Sequence, residues 1–352
     1  MLKVLGLDDE ALWQEIVKGF AGYDVYHLPQ YTKSFRLHGD GEPLLFYYSS
    51  GNTRAINVVM KRDIAAVSPF SKRLSMGVYY DLATPYGYGG FLVEGTRSED
   101  AIKKLNAAYT EYCVDSGIVS EFVRFHPLLN NQTGLDPIYE IIEMGKTICI
   151  DLSSPEIFHK NIKPHTQNRI RKAQRECGGV FRDTTPDIYA QFTDMYTETM
   201  ARNEAQPYYY FNRDFFRNVC DELKDNAAIF YAVYDDRIVA MELVLYCNGK
   251  LHSHLQASLR DCQHLSPVPL LIYNESLWGM DNGILRFHLG GGLGSAEDNI
   301  YQFKSNFNRN SHTRFFTGRR IFDRKKYDAL LRLRNEASPD APRIGYFPEY
   351  RA

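Results

Sequence analysis

Much that would assign a protein quickly is missing from these 352 residues. No run of about eighteen apolar residues occurs, so nothing in the sequence reads as a membrane-spanning helix. The opening MLKVLGLDDEALWQEIVKGF is amphipathic and acid-bearing, without the continuous apolar stretch of a secretory leader. The six cysteines, at 113, 149, 177, 220, 247 and 262, include no Cys-x-x-Cys pair. In a chain of this length that argues against a disulfide framework, and a cytoplasmic location is expected. Neither sign of charge is in excess: 41 Lys and Arg against 43 Asp and Glu give a net charge of −2. A protein devoted to gripping nucleic acid, DNA included, is usually more basic than this, although a local basic patch stays open. Gly-x-Ser-x-Gly is absent and no Ser-His-Asp or Cys-His order stands out, which argues against a covalent hydrolase.

What is present describes an ordinary folded chain, with 44% hydrophobic and 24% charged residues. The length favours two domains. Tyr (25) and Phe (21) are numerous; most are expected in the core, and some suit the walls of a ligand groove.

An internal resemblance supports the division into two. Residues 106–129 and 274–289 each read as a helix, a glycine and an apolar run containing Arg-Phe-His: Arg124, Phe125, His126 and Arg286, Phe287, His288. The expected domains are 1–152 and 179–352, joined by a basic helix within 153–178 that Pro164 interrupts or kinks. In the first half, helices are expected at 8–20 and 98–115. Strands fit 43–49, 54–60, 77–83 and 119–126, with a strand pair near 137–152. In the second half, helices fit 186–202, 212–224, 268–281, 297–306 and 325–336. Strands fit 228–235, 238–246, 250–257 and 284–289, with turns at Asp235-Asp236 and Asn248-Gly249. The result is an α/β chain of mixed sheets with helices on their faces.

Several clusters carry possible chemistry. PYGYGG (85–90) follows a strand; it reads either as a binding loop with Tyr86 and Tyr88 as contacts or as a plain turn. GGGLGS (290–295) precedes the helix holding Lys304, and amides of Gly291 and Gly292 are candidates to cradle phosphate or carbonyl oxygens. It is neither a nucleotide P-loop nor a dinucleotide fingerprint. The acid-free run from Ile157 to Arg175 holds Lys160, Lys163, Arg169, Arg171, Lys172 and Arg175, and reads as a solvated face or a phosphate patch. His252 and His254 alternate on a strand near Glu242, but no third ligand has zinc spacing, so no metal is expected.

The segments DVYHLPQY (24–31), PYGYGG (85–90), FVRFHPLL (122–129), NRIRKAQRECGGV (168–180), TETMARN (197–203) and FHLGGGLGSAEDNIYQFKSNFN (287–308) resemble, in order, the GNAT superfamily of acyltransferases. More narrowly, they resemble its tandem FemAB-type and BioF2-like members. The resemblance implies two tandem GNAT-like domains and an active site in or beside the groove between them. It implies an acyl or aminoacyl group transferred to an amine of a cell-envelope precursor, such as a nucleotide-linked sugar or peptidoglycan peptide. Acyl-CoA or aminoacyl-tRNA would be the donor substrate, with no permanently bound cofactor. Glu242 falls at a strand position where GNAT enzymes sometimes keep a base, Lys304 borders the transfer site, and Arg202 matches an arginine that meets precursor phosphates. One departure stands out: the stretch SLRDCQHLSPVPLL (258–271) lacks the glycines with which GNAT enzymes hold the coenzyme A pyrophosphate. A catalytically degenerate ligand- or RNA-binding protein is the alternative.

Overall fold

The computed structural model describes residues 1–311, 313–337 and 345–352. Its contacts divide the chain into two units, one of residues 1–144 with 315–352 and one of residues 145–314. Residues 315–352, placed by the sequence reading with the second half, are grouped with the first.

The first unit runs β1 (Leu2–Leu5), α1 (Glu10–Lys18), α2 (Pro29–His38), β2 (Glu42–Ser50), β3 (Thr53–Asp63), β4 (Tyr80–Ala83), β5 (Leu92–Gly95), α3 (Glu99–Asp115) and β6 (Ile118–Arg124). Local chemistry accounts for much of this. The Ser98 hydroxyl accepts from the Ala101 amide at the start of α3, and Glu99 and Asp100 pair with Lys103 and Lys104 one turn on. The opposite face of α3 buries Ile102, Leu105, Tyr109 and Cys113.

β7 (Glu140–Asp151) carries the chain into the second unit as one continuous strand where a strand pair is expected from the sequence. The stretch contains no two-residue turn. Its glycine, Gly145, instead admits the Ser295 carbonyl, which an added Cβ would meet at 2.6 Å. There follow α4 (Pro155–Asn161), α5 (Pro164–Glu176), β8 (Gly179–Asp183), α6 (Pro186–Arg202), α7 (Arg213–Glu222), β9 (Ala227–Tyr234), β10 (Arg237–Cys247), β11 (Lys250–Ser258), α8 (Pro267–Asp281), β12 (Arg286–Gly290) and α9 (Asn299–Ser305). Pro164 breaks the expected helix because the residue before a proline is forced extended, and Lys163 has ψ 143°. Phe158 of α4, Ile162 at the break, and Ile170 and Ala173 of α5 lie in the core of this unit with Phe230, Leu271 and Phe287. The lateral strand order is β7-β12-β11-β10-β9-β8.

The chain then returns through β13 (Thr313–Ile321), antiparallel to β6, and α10 (Arg324–Ala337). The first unit therefore has the order β1-β2-β3-β4-β6-β13, with β5 on β3. Tyr327 and Leu330 of α10 join Ile64, Phe70, Val119 and Tyr350 in a small core. Buried Asp81 ties down the C-terminal residues by accepting from the Tyr350 hydroxyl and the Arg351 guanidinium.

Each unit repeats one scheme. Three antiparallel strands (β2-β3-β4, β9-β10-β11) lead to a helix (α3, α8) and a left-handed glycine (Gly117, φ 70°; Gly283, φ 71°). The next strand then pairs parallel to the third. The Arg-Phe-His triplets meet the matching strands at different points: Arg124 closes β6, so Phe125 and His126 lie beyond it, whereas Arg286 opens β12 and the second triplet lies within that strand. The helix–glycine turn sets the register. Counted from it, the first triplet lies four residues further along. Among the described residues no helix is long and apolar enough to cross a membrane.

Candidate active site

β11 and β12 pair over three residues only, Lys250–His252 with Arg286–His288. Beyond that β11 continues beside β10 to Ser258, while β12 continues beside β7, with Gly290 opposite Ile148. The two strands part, and a cavity of about 410 Å³ occupies the opening. Ser253, His254 and Gln256 of β11 line it with Leu289 of β12, Ile272 of α8, and Asn299, Ile300, Phe303 and Lys304 of α9.

A β-bulge shapes the polar wall. Gln256 stands opposite Glu242 and Leu255 opposite Leu243, but Val244 faces Ser253, so His254 is an inserted residue. The insertion puts Ser253 and Gln256 on the same side of β11 as Glu242 is of β10. It also separates His252 from His254, which simple alternation would have put on one face. Gln256 Nε2 donates to Glu242 Oε2 at 2.7 Å, and Ser253 adds a second hydrogen bond. Glu242 is fully buried, one hydrogen bond behind the cavity wall. Burial pushes its carboxyl above the usual range, while those two hydrogen bonds and the Lys304 charge oppose the rise. Burial also holds the Lys304 ammonium below its ordinary value, against the pull of Glu242 and Asp298. Burial beside His252 pushes His254 down to about 3, so its ring is neutral at neutral pH.

Lys304 is aimed by the glycine-rich loop. Its Nζ donates to the Gly291 carbonyl at 2.9 Å. Asp298 caps α9 by accepting from the Tyr301 amide and holds the loop by accepting from the Leu293 amide, both at 2.9 Å. Gly292 is pressed against these groups: a Cβ there would meet Asp298 Oδ1 at 2.3 Å. Gly291, Gly292, Lys304 and Glu242 thus form one cluster.

Arg202, in the same unit, ends α6 and donates to the Ser258 carbonyl at 2.9 Å, at the end of β11; it does not line this cavity. The exposed α5 carries Arg169, Arg171, Lys172 and Arg175 on its solvent side. Tyr86 and Tyr88 belong to the first unit, where PYGYGG closes the corresponding opening. The Thr84 amide donates to the Phe122 carbonyl and the Gly89 amide to the Arg124 carbonyl, extending the β4–β6 contact. Tyr88 is buried edge-on to Tyr26 and beside His126, and burial raises its phenol to about 12. Tyr86 stacks on Phe35, and its carbonyl accepts from the Tyr31 hydroxyl. Glycine at 90 is required sterically, since a Cβ would strike the Phe125 ring at 2.7 Å.

Sequence reasoning missed Ser253, Gln256, Asp298 and Glu275 in this cluster. Asp298 had a signal, an acid just ahead of a helix. Glu275 is the lone acid among the apolar residues of PVPLLIYNESLWG.

Residues 164–305, from α5 to the end of α9, match the family described as an acetyltransferase (GNAT) domain. In shape, the chain is similar to FemX over 93% of its length and 99% of that chain, with a TM-score of 0.66 and 10% identity. It is also similar to a conserved protein of unknown function from Bacteroides thetaiotaomicron (TM-score 0.55, 9% identity, 90% and 98% covered). A third likeness is to the C-terminal domain of a putative lysylphosphatidylglycerol synthetase from Agrobacterium fabrum (TM-score 0.53, 14% identity, 88% and 92% covered). Among curated proteins no sequence matches significantly.

Proposed function

The chain is built from two tandem GNAT-like units, and from that premise we propose that it is an acyltransferase whose chemistry takes place in the opening between β11 and β12. The observation that carries this reading is Lys304 on the cavity wall with buried Glu242 one hydrogen bond behind it.

In this reading an acceptor amine attacks the carbonyl carbon of an acyl thioester or ester. The C–N bond forms, the carbonyl electron pair moves to oxygen, and the amine proton passes to Glu242 through the Ser253 hydroxyl, which lines the cavity and hydrogen-bonds that carboxylate. Collapse of the adduct breaks the C–S or C–O bond and expels the donor's thiolate or alkoxide, which takes up a proton. Lys304 supplies positive charge for the oxyanion or for a phosphate of either substrate. Holding amine and carbonyl together supplies a further large share of the rate.

The acceptor we favour is an amine of a cell-envelope precursor, nucleotide-linked sugar or peptide. The FemAB-type resemblance supports it, as does likeness in shape to FemX and to a domain of a putative lysylphosphatidylglycerol synthetase. Acyl-CoA is the donor the GNAT family implies. One observation favours a second reading, an aminoacyl ester carried by tRNA. The β11–α8 connection has no glycine, and α8 opens with Pro267 and Pro269, so two amides are missing from the turn where GNAT enzymes grip pyrophosphate. The test is mass spectrometry of reactions pairing acyl-CoAs or aminoacyl-tRNAs with amine-bearing precursors. A product mass gain abolished by Glu242→Gln supports the assignment. Transfer at full rate in that variant removes it, and absence of product with every donor points to a binding protein.

A further inference from the structure

Behind Glu242 lies a second carboxyl. Glu275, in the middle of α8, is fully buried. Among the described residues no hydrogen-bond partner reaches either of its oxygens, nor Oε1 of Glu242. Three of the four carboxyl oxygens of this pair therefore lack a donor, in a part of the protein where an unmet carboxylate is costly. The two groups are close enough that charge on Glu242 adds to the effect of burial in raising the Glu275 carboxyl well above its ordinary range.

The surroundings leave few ways to meet this need. α8 lies against α5, β8, β9, β10 and β11. From α5 come Ile170 and Ala173, while its basic side chains are exposed. From β8, Arg182 is taken up by the Trp278 ring and the Tyr246 hydroxyl. β9 supplies Phe230, and β10 supplies Ala240, Val244 and Glu242 itself. From β11 come Gln256 and Ser253, both engaged with Glu242, and the neutral His254. The nearby cation is Lys304 of α9, which interacts with Glu242. Two carboxylates beside one lysine would leave a buried negative charge; one proton on the pair removes it.

We propose that Glu275 is a positioning residue for Glu242: it keeps the proton of the pair and donates its O–H to Oε1 of Glu242, which stays ionised and turned toward Gln256, Lys304 and the cavity. This rests on the reading of Glu242 as the proton acceptor. Its consequence is a base whose environment is complete before substrate arrives: hydrogen bonds from Gln256 and Ser253, the charge of Lys304 and a neutral acid. Glu275 itself touches no substrate.

The test is infrared difference spectroscopy on the unliganded full-length protein, wild type against Glu275→Gln, Glu275→Met and Glu242→Gln. At neutral pH, wild type should show a protonated-carboxyl C=O band that both Glu275 variants lose and Glu242→Gln keeps. On acid titration, the carboxylate band of Glu242 should disappear at a pH higher by about one unit in Glu275→Met, which has no donor. Glu275→Gln, whose amide still donates, should restore the wild-type midpoint. A wild-type spectrum with no protonated carboxyl overturns the proposal. So does a band lost in Glu242→Gln and kept in Glu275→Gln, or an unmoved Glu242 midpoint in folded Glu275→Met. The spectra report protonation without any substrate. Failure of the acyltransferase reading would show separately, as Glu242→Gln turning over at the full rate.

Discussion

The two units place a buried polar residue at the same point of the same hairpin and use it in opposite ways. Four residues before each turn stands a phenylalanine, Phe46 in the first unit and Phe230 in the second. Across from them stand Asn57 and Glu242. Asn57 donates to Glu121 of β6 at 2.9 Å, and the Tyr109 and Tyr139 hydroxyls and Arg320 help hold that carboxylate against burial. Glu242 instead stands one hydrogen bond behind a cavity. The same contrast holds at the parallel strands: β4 and β6 are extended toward each other by Thr84 and Gly89, whereas β11 and β12 part after three rungs. One copy of the fold ties its polar centre to its own side chains, with Asn57 Oδ1 and Glu121 Oε2 left over, and fills its opening; the other sets its polar centre beside a cavity, which is what chemistry needs.

Breaking the second centre should cost activity and little stability. Glu242→Gln should lower kcat by about 10²–10⁴-fold, the usual range for a general base, with an unchanged circular dichroism spectrum. Lys304→Met should raise KM for a phosphorylated substrate about ten- to a hundredfold by steady-state kinetics. Arg202→Met should change it less, because that guanidinium is already given to the Ser258 carbonyl. Equal losses in both variants would mean that Arg202 leaves its carbonyl for the substrate.

Breaking the first centre should do the reverse. Asn57→Leu removes a donor from buried Glu121 and should destabilise by about 1.5–3 kcal/mol in urea titration, leaving the kinetics of the second unit unchanged. A smaller effect separates the two carboxyl centres by pH. The native state holds Glu275 well above its ordinary value of 4.5, so between those two values it binds a proton that the unfolded chain has released. Stability contributed by that proton is present at the acid end and is lost as pH rises through the window. Glu275→Gln should therefore flatten the fall in melting temperature as pH rises above 4.5, relative to wild type. The smallest change is expected on the exposed basic helix. Arg171→Ala should leave turnover of a small precursor unaltered, and should weaken binding with a reduced salt slope only if the donor is tRNA.

The parts of this comparison that obey local rules were legible in the sequence. Turn pairs such as Asp235-Asp236 and Asn248-Gly249, both left-handed here, marked the hairpins, and Pro164 marked the helix break. The helix–glycine–strand repeat exposed the duplication. α2 escaped notice although Leu28-Pro29 is a fair helix start. What could not be read depends on distant residues. Counting back from the Asn248-Gly249 turn puts Leu255 opposite Glu242; only the bulge at His254 brings Gln256 there, and nothing in LHSHLQAS announces it. The pairing of β13 with β6 joins residues some two hundred positions apart, and no propensity encodes that. Glu275 carries no mark of its role in the sequence, because its burial beside Glu242 depends on residues far along the chain.

The return of residues 315–352 makes the second unit an insertion within the first, and this bears on the order in which a ribosome can release finished parts. Residues 145–314 emerge as an unbroken stretch and can close on themselves while synthesis continues. Thr317–Ile321, which border β6, emerge only afterwards. At common elongation speeds that leaves Ser120–Arg124, whose earlier neighbour is β4, waiting roughly 10–40 s for the second. The N-terminal part of this polypeptide, first to be made, is thus the last to be completed.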